Sequence, residues 1–348
     1  MEEKPFVGCV LVRCPNWVGD LVMAIPAFDC LRKGFEGAEF VGVAKGKLFK
    51  VLQGGPWFNH LIEAQEKSWA GLKRMVRRIR EHRPDVAILF PNSFRSVTPI
   101  WWAGVKQIYG YQRDLRGAFL TGGPKPERNK GKVIPLPMQA YYLEICRSIG
   151  LQIPADPKPR LYVDEQVAEQ GEKLLLKYGI LDDETLVGLN PGANFGSSKC
   201  WPPEHFARVA ELLEKKMGAR ILLFSGPGEE EIARAIVRES RAAIIDTTPD
   251  QVDLALLKPL IKRCDLLVTN DTGPRHYAVA FDVPVVVMMG PTDPRWTASN
   301  LENTVVLTSE ADCSPCHKKT CPTDHRCMRN ITPEAVYEAG QELLKENI

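Results

Sequence analysis

Residues Cys264 to Ala280 read CDLLVTNDTGPRHYAVA: an apolar run (Leu266, Leu267, Val268), the polar turn Thr269-Asn270-Asp271-Thr272-Gly273-Pro274, then a helix-compatible segment. A strand, a tight turn and a helix start in that order point unpaired backbone N–H groups above the strand's carboxyl end, where the helix dipole favours an anion. Ligands of open α/β sheets bind in that crevice. Asp271, Thr272 and Gly273 therefore suit a phosphate-bearing ligand. Asn190-Pro191-Gly192-Ala193-Asn194-Phe195-Gly196-Ser197-Ser198-Lys199-Cys200-Trp201-Pro202 also follows an apolar run. Its glycines permit close backbone approach, Ser197 and Ser198 offer hydroxyls, and Lys199 offers a point charge. The composition is that of a phosphate loop, though not a Walker A sequence; an ordinary polar loop before a helix is the alternative. In Phe224-Ser225-Gly226-Pro227-Gly228-Glu229-Glu230-Glu231 a carboxylate could accept hydrogen bonds from ribose hydroxyls. Three acids in a first helical turn would equally complement the dipole.

Cys14-Pro15-Asn16-Trp17-Val18-Gly19-Asp20 follows the first apolar run and precedes a helix. It lacks the G-x-G-x-x-G dinucleotide fingerprint. It brings one carboxylate, Asp20, to the top of a sheet, as a general base or as a helix cap. Cys313, Cys316, Cys321 and Cys327 form C-x2-C-x4-C-x5-C. Four clustered thiols without an export signal favour a structural zinc site, with a reversible disulfide or free thiols as alternatives. His317 and His325 are substitute ligands. The spacings match neither common ferredoxin pattern.

The elements that must hold these groups alternate. Strands are expected at Phe6–Val12, Phe40–Val43 and Val86–Phe90, with helices at Leu21–Lys33 and Leu72–Glu81; this pattern implies a parallel sheet with helical crossovers. Residues 151–160 hold three prolines and form a stiff connector. The theme then repeats, with strands at Leu186–Leu189, Arg220–Phe224, Ile244–Asp246, Leu266–Thr269 and Val285–Met289. Helices are expected at Glu204–Lys216, Glu229–Glu239, Leu254–Arg263 and Pro333–Lys345. A chain of 348 residues accommodates two such domains, an α/β architecture with two Rossmann-like parallel-sheet domains facing a central cleft.

The net charge of +2 is unevenly spread. Residues 66–132 carry fifteen Lys or Arg against five acids. That excess suits an acidic substrate or anionic lipid. No nucleic-acid motif accompanies it, so nucleic acid is not an expected partner. Apolar runs are too short to span a bilayer, and Met1-Glu2-Glu3-Lys4 lacks the features of a signal peptide. A cytoplasmic protein able to touch a membrane surface is expected.

Together, Pro15–Asp20, Pro91-Asn92-Ser93-Phe94-Arg95-Ser96, the loop from Gly192 to Lys199-Cys200-Trp201-Pro202, Asn270-Asp271-Thr272-Gly273 with His276, and Gly290-Pro291-Thr292 resemble the lipopolysaccharide heptosyltransferases. The match is closest to the heptosyltransferase II branch and covers nearly the whole chain in order. The resemblance implies a GT-B fold, with an acceptor domain over 1–155, a nucleotide-sugar domain over 161–330, and a C-terminal helix, 331–348, packing back toward the first domain. It implies inverting transfer of L-glycero-D-manno-heptose from ADP-heptose to the heptosyl-Kdo-lipid A core, with no cofactor required for catalysis, at the cytoplasmic face of the inner membrane as a peripheral protein. By the resemblance Asp20 is the base, and Lys199, Asp271, Thr272, Gly273, Ser197 and Ser198 hold the donor. Glu229 or Glu230 meets the ribose, and Asn92, Arg95, Arg113 and Arg116 meet the acceptor. The cysteine cluster becomes a local staple. Pro274-Arg275 departs from the usual small or apolar pair. Trp101-Trp102 is expected in the core. A different nucleotide sugar, or a nicotinamide-dependent oxidoreductase, remains the alternative.

Overall fold

The computed structural model describes residues 7–346; Met1–Lys4 and Phe6, the start of the expected leading strand, lie outside them. The chain divides between Arg160 and Leu161 into two compact units, at the end of the proline-rich connector.

In the first unit, β1 (Cys9–Arg13), β2 (Glu39–Ala44), β3 (His60–Glu63), β4 (Val86–Leu89) and β5 (Gln107–Gly110) form one sheet in the order β3-β2-β1-β4-β5. All its pairings are parallel. β1 and β4 are buried along their whole length, which is why they read as unbroken apolar runs. The expected helix Leu21–Lys33 is two helices, Val18–Met23 and Ile25–Gly34. Pro26 cannot donate a helical hydrogen bond and sits instead in the first turn of the second one. Helix Trp69–His82 starts at Ser68, whose hydroxyl accepts the Gly71 N–H at 3.1 Å. It buries Met75, Val76 and Ile79 and stops where Arg83 turns left-handed. Helix Phe94–Trp102, the hairpin of β6 (Arg128–Asn129) and β7 (Lys132–Val133), and helix Met138–Ser148 are further elements of the unit.

The second unit contains β8 (Leu186–Asn190), β9 (Arg220–Leu223), β10 (Ile244–Asp246), β11 (Leu266–Asn270), β12 (Val285–Met288) and β13 (Thr304–Leu307), ordered β10-β9-β8-β11-β12-β13 and wholly parallel. In each sheet the order reverses next to its first strand, between β1 and β4 and between β8 and β11. Loops leaving the carboxyl ends of strands at such a reversal part and leave a crevice. Cys14–Asp20 follows β1, Pro91–Ser96 follows β4, Pro191–Lys199 follows β8, and Asp271–Gly273 follows β11. The loops singled out by chemistry are the loops that the topology leaves open.

The C-terminal helix Pro333–Glu346 begins at Thr332, whose hydroxyl accepts the Ala335 N–H at 3.2 Å. It packs on helix Pro203–Met217 and on β11 and β12, burying Val336, Tyr337, Leu343 and Leu344 in the second unit's core. Its apolar face is therefore buried within the second unit. Among the described residues no helix is long and apolar enough to cross a membrane.

Candidate active site

In the second unit, the last residue of β11 acts as a clamp. Asn270 Oδ1 accepts the Trp201 N–H at 3.0 Å, and its Nδ2 donates to the Pro191 carbonyl at 2.5 Å. This ties the β8 loop across the strand reversal. A Cβ at Gly196 would lie 2.2 Å from the Lys319 carbonyl oxygen, so only glycine permits this approach. The Ser198 N–H donates to that carbonyl at 3.1 Å and its hydroxyl to the Lys318 carbonyl at 2.5 Å. Ser198 is buried and braces the loop from within, contrary to its expected place among donor contacts; Ser197 is exposed.

The brace presents a charged cluster. Lys199 Nζ lies 2.5 Å from Asp271 Oδ2 and 3.1 Å from the Asp271 carbonyl. Arg275 Nη1 reaches Asp271 Oδ1 at 3.3 Å, and the Thr292 hydroxyl donates to Oδ2 at 2.9 Å. Burial pushes the Asp271 carboxyl up, but Lys199 and Arg275 outweigh it and hold it at about 2. Two cations share one carboxylate, so the group carries net positive charge at the amino end of helix Gly273–Ala280. Arg275 is a buried member of this cluster. Thr272 is its helix's N-cap position and Gly273 the first residue.

Burial and then Arg275 hold the His276 imidazole down, to about 3 from a reference of 6.5, so the ring is neutral in the fold. The unfolded chain takes up a proton below pH 6.5 that the fold refuses, and stability falls as pH drops from about 6.5 toward 3. His276→Gln is expected to flatten this slope in denaturant titrations across that window.

Both ribose candidates are half-buried and each accepts a backbone N–H of its own loop, Glu230 Oε1 that of Gly228 at 3.1 Å. Glu229 Oε2 accepts the Gly226 N–H at 2.7 Å. Its carboxyl occupies the space a Cβ on Gly192 would need, at 1.9 Å. Burial raises the Glu229 carboxyl above its usual range.

In the first unit, Asp20 stands at the third position of helix Val18–Met23, whose N-cap is Trp17, so it is not the cap. Its Oδ1 accepts the Tyr142 hydroxyl at 2.9 Å. Burial, reinforced by Asp20, raises the Tyr142 phenol far above its usual range, so Tyr142 stays a donor and orients the carboxylate. Its neighbour Tyr141 donates to Asn92 Oδ1 at 3.1 Å and stacks on Tyr111 with centroids 3.6 Å apart. Sequence reasoning missed both tyrosines. The pair in Met138–Ser148 carries the signal, but that helix follows Pro137 and has no side-chain cap to announce it.

The four acceptor candidates separate. Arg95 is exposed and Arg113 half-buried beside Asp114 at 3.4 Å. Arg116 is fully buried. Its guanidinium donates to the carbonyls of Pro91 and Tyr111, to Asn92 Oδ1 and to the Ser96 hydroxyl. Burial lowers it to about 10. Three of these four bonds go to the loop that holds Asn92, so the buried Arg116 positions that loop.

The cysteines lie near enough that, after burial, Cys313, Cys316 and Cys321 raise the Cys327 thiol. They do not gather three ligand atoms within 4.8 Å; among the described residues the grouping that does so is Glu39, His60 and His82. The cysteine loop lends the Lys318 and Lys319 carbonyls to Ser198, and the Ser314 hydroxyl to the Gly290 carbonyl at 2.6 Å.

Paired doubly wound sheets, an anion-ready cluster on one and a buttressed carboxylate on the other, are the equipment of a group-transfer enzyme acting on a nucleotide-linked substrate. The sequence profile of glycosyltransferase family 9 (heptosyltransferase) matches residues 72–326. The chain belongs to this glycosyltransferase family. It is 28% identical to lipooligosaccharide heptosyltransferase 2 of Campylobacter jejuni, covering 97% of this chain and 99% of that one. It is also 28% identical to lipopolysaccharide heptosyltransferase 2 of Escherichia coli, covering 96% and 98%. The solved E. coli ADP-heptose LPS heptosyltransferase II superposes with a TM-score of 0.81 at 25% identity, covering 97% and 99%. The fold is thus α/β of the GT-B type, and the oxidoreductase alternative gives way to glycosyl transfer.

Proposed function

We propose that this enzyme moves L-glycero-D-manno-heptose from ADP-heptose to a heptosyl-Kdo-lipid A acceptor in lipopolysaccharide core synthesis, inverting the anomeric centre. The names of its full-length relatives favour this donor and acceptor. The observation that carries the donor half is the net-positive Lys199–Asp271–Arg275 cluster at the amino end of helix Gly273–Ala280. A diphosphate leaving group gains negative charge as its bond to the sugar breaks, and fixed positive charge stabilises that transition state. The acceptor hydroxyl oxygen attacks the anomeric carbon from the opposite face. Its proton passes to the Asp20 carboxylate, and the bonding electrons leave with ADP. Asn92, Arg95 and Arg113 contact the acceptor's anionic groups; Thr272 and Gly273 supply backbone donors to the diphosphate.

Glu229, held by Gly226 and shielded by Gly192, is the ribose acceptor. Glu229→Gln is expected to weaken ADP binding about tenfold, the scale of one hydrogen bond to a charged group. Glu230→Gln, altering a carboxylate that accepts the Gly228 N–H at 3.1 Å and keeping an oxygen able to do so, should leave it unchanged; calorimetric titration with ADP reads both. A donor panel of ADP-, UDP- and GDP-sugars with the heptosylated acceptor tests the whole reading. ADP-heptose should turn over fastest and give one anomer by NMR, and preference for another sugar would replace the donor assignment.

A further inference from the structure

We propose that the first unit carries a docking surface for an anionic lipid bilayer, formed by the outer face of helix Trp69–His82 and an aromatic ridge beside it. The helix buries Gly71, Met75, Val76 and Ile79 and turns Lys73, Arg74, Arg77, Arg78 and Arg80 outward. Arg77 is paired with Glu81 at 3.6 Å. Among the described residues, Lys73, Arg74 and Arg78 have no acidic partner in ion-pair reach. A strip of unneutralised cations on one helix face attracts a surface of opposite charge.

In the neighbouring ridge, Trp101 and Trp102 are exposed, against the expectation that they lie in the core. Trp69 is 62% exposed, Trp101 51% and Trp102 36%, with Phe94 at 48%. Trp69 meets Trp102 edge-on at 5.7 Å, and Trp101 meets Phe119 edge-on at 5.4 Å. Arg80 donates to the Trp102 carbonyl at 2.5 Å, joining the ridge to the basic helix. A cavity of about 400 Å³, lined by Trp101, Val105, Lys106, Ile108, Phe119 and Leu120, opens next to it. A cluster of exposed tryptophans is unusual for a surface that meets only water. Tryptophan is at home where headgroups meet acyl chains, and basic side chains flanking it add attraction to anionic lipid. The near-perpendicular ring packing, 82° and 90°, puts ring edges against neighbouring faces. That leaves no parallel platform of the kind that stacks nucleic-acid bases, so the chemistry favours lipid.

This surface would bring the enzyme to a lipid-borne acceptor and so deepens the proposed function, yet its test does not depend on turnover. The full chain is sedimented with vesicles of pure phosphatidylcholine, or of three parts phosphatidylcholine to one of phosphatidylglycerol, at low and high salt. Binding is expected only with phosphatidylglycerol. Lys73→Glu/Arg74→Glu/Arg78→Glu should weaken it about a hundredfold or more, since each basic side chain near such a surface contributes about fivefold. Trp69→Ser/Trp101→Ser/Trp102→Ser should bind at low salt and detach at high salt, where only apolar insertion resists screening. Thermal melts close to the native one verify that these exposed substitutions leave the fold intact. Equal binding to both vesicle types, variants that bind as the native chain does, or preference for single-stranded RNA over vesicles would overturn the proposal. Loss of ADP binding by the native chain would instead sink the transferase reading and leave the vesicle result standing.

Discussion

Asp20→Asn is expected to lower kcat about a thousandfold while the chain stays folded and still binds ADP. The size follows from the role: a positioned general base contributes roughly a hundredfold to ten-thousandfold. Asparagine is the informative substitution because it nearly preserves shape. Its carbonyl oxygen can still accept the Tyr142 hydroxyl, which lies 2.9 Å from Asp20 Oδ1. Its place in the first turn of helix Val18–Met23 is also kept. What it cannot do is take the acceptor's proton. ADP release at saturating donor and acceptor measures the effect, and calorimetry with ADP shows whether the donor side is untouched. An Asp20→Asn enzyme keeping more than about a tenth of native kcat would remove Asp20 from the proton transfer.

The parts legible in the sequence are those whose physics is local. β1, β4, β8, β11 and β12 are central or nearly so, and burial on both faces makes them continuous apolar runs. The loops following them advertise themselves by Gly, Pro, Ser and Asp. β3 and β5 escaped because edge strands keep mixed polarity: His60 and Gln107 are exposed where β1 has only buried residues. The apolar spacing over 21–33 runs straight through Pro26 and so predicts one helix, whereas proline, lacking the N–H, starts a second one there. Long-range pairings were beyond spacing arguments altogether. Asp20 meets Tyr142 across 122 positions, and Lys199 meets Asp271 across 72. Arg116 shows the opposite error: a cation in a basic segment looks exposed, yet it is buried and donates to four acceptors of its own fold. Trp101 and Trp102 show the same weakness for apolar groups. Size and hydrophobicity predict the core, but helix Phe94–Trp102 already fills its inner face with Val97, Pro99 and Ile100.

Lys199→Ala is the counterpart on the donor side, and its expected cost is a hundredfold to thousandfold in kcat/KM, about 3–4 kcal/mol. The structure explains why the loss is mainly functional. Removing one member of a buried ion pair commonly destabilises a protein by about 3–5 kcal/mol, because a charge is stranded. Here Asp271 would keep Arg275 at 3.3 Å and the Thr292 hydroxyl at 2.9 Å, so it is not stranded, and the drop in melting temperature should be small. What disappears is the excess positive charge. With Lys199 the cluster holds two cations against one carboxylate; without it the remaining Asp271–Arg275 pair is neutral and offers a diphosphate little. ADP affinity and kcat/KM for ADP-heptose should therefore fall together, while acceptor KM holds. Unchanged ADP affinity in a folded Lys199→Ala protein would show that the diphosphate is held elsewhere.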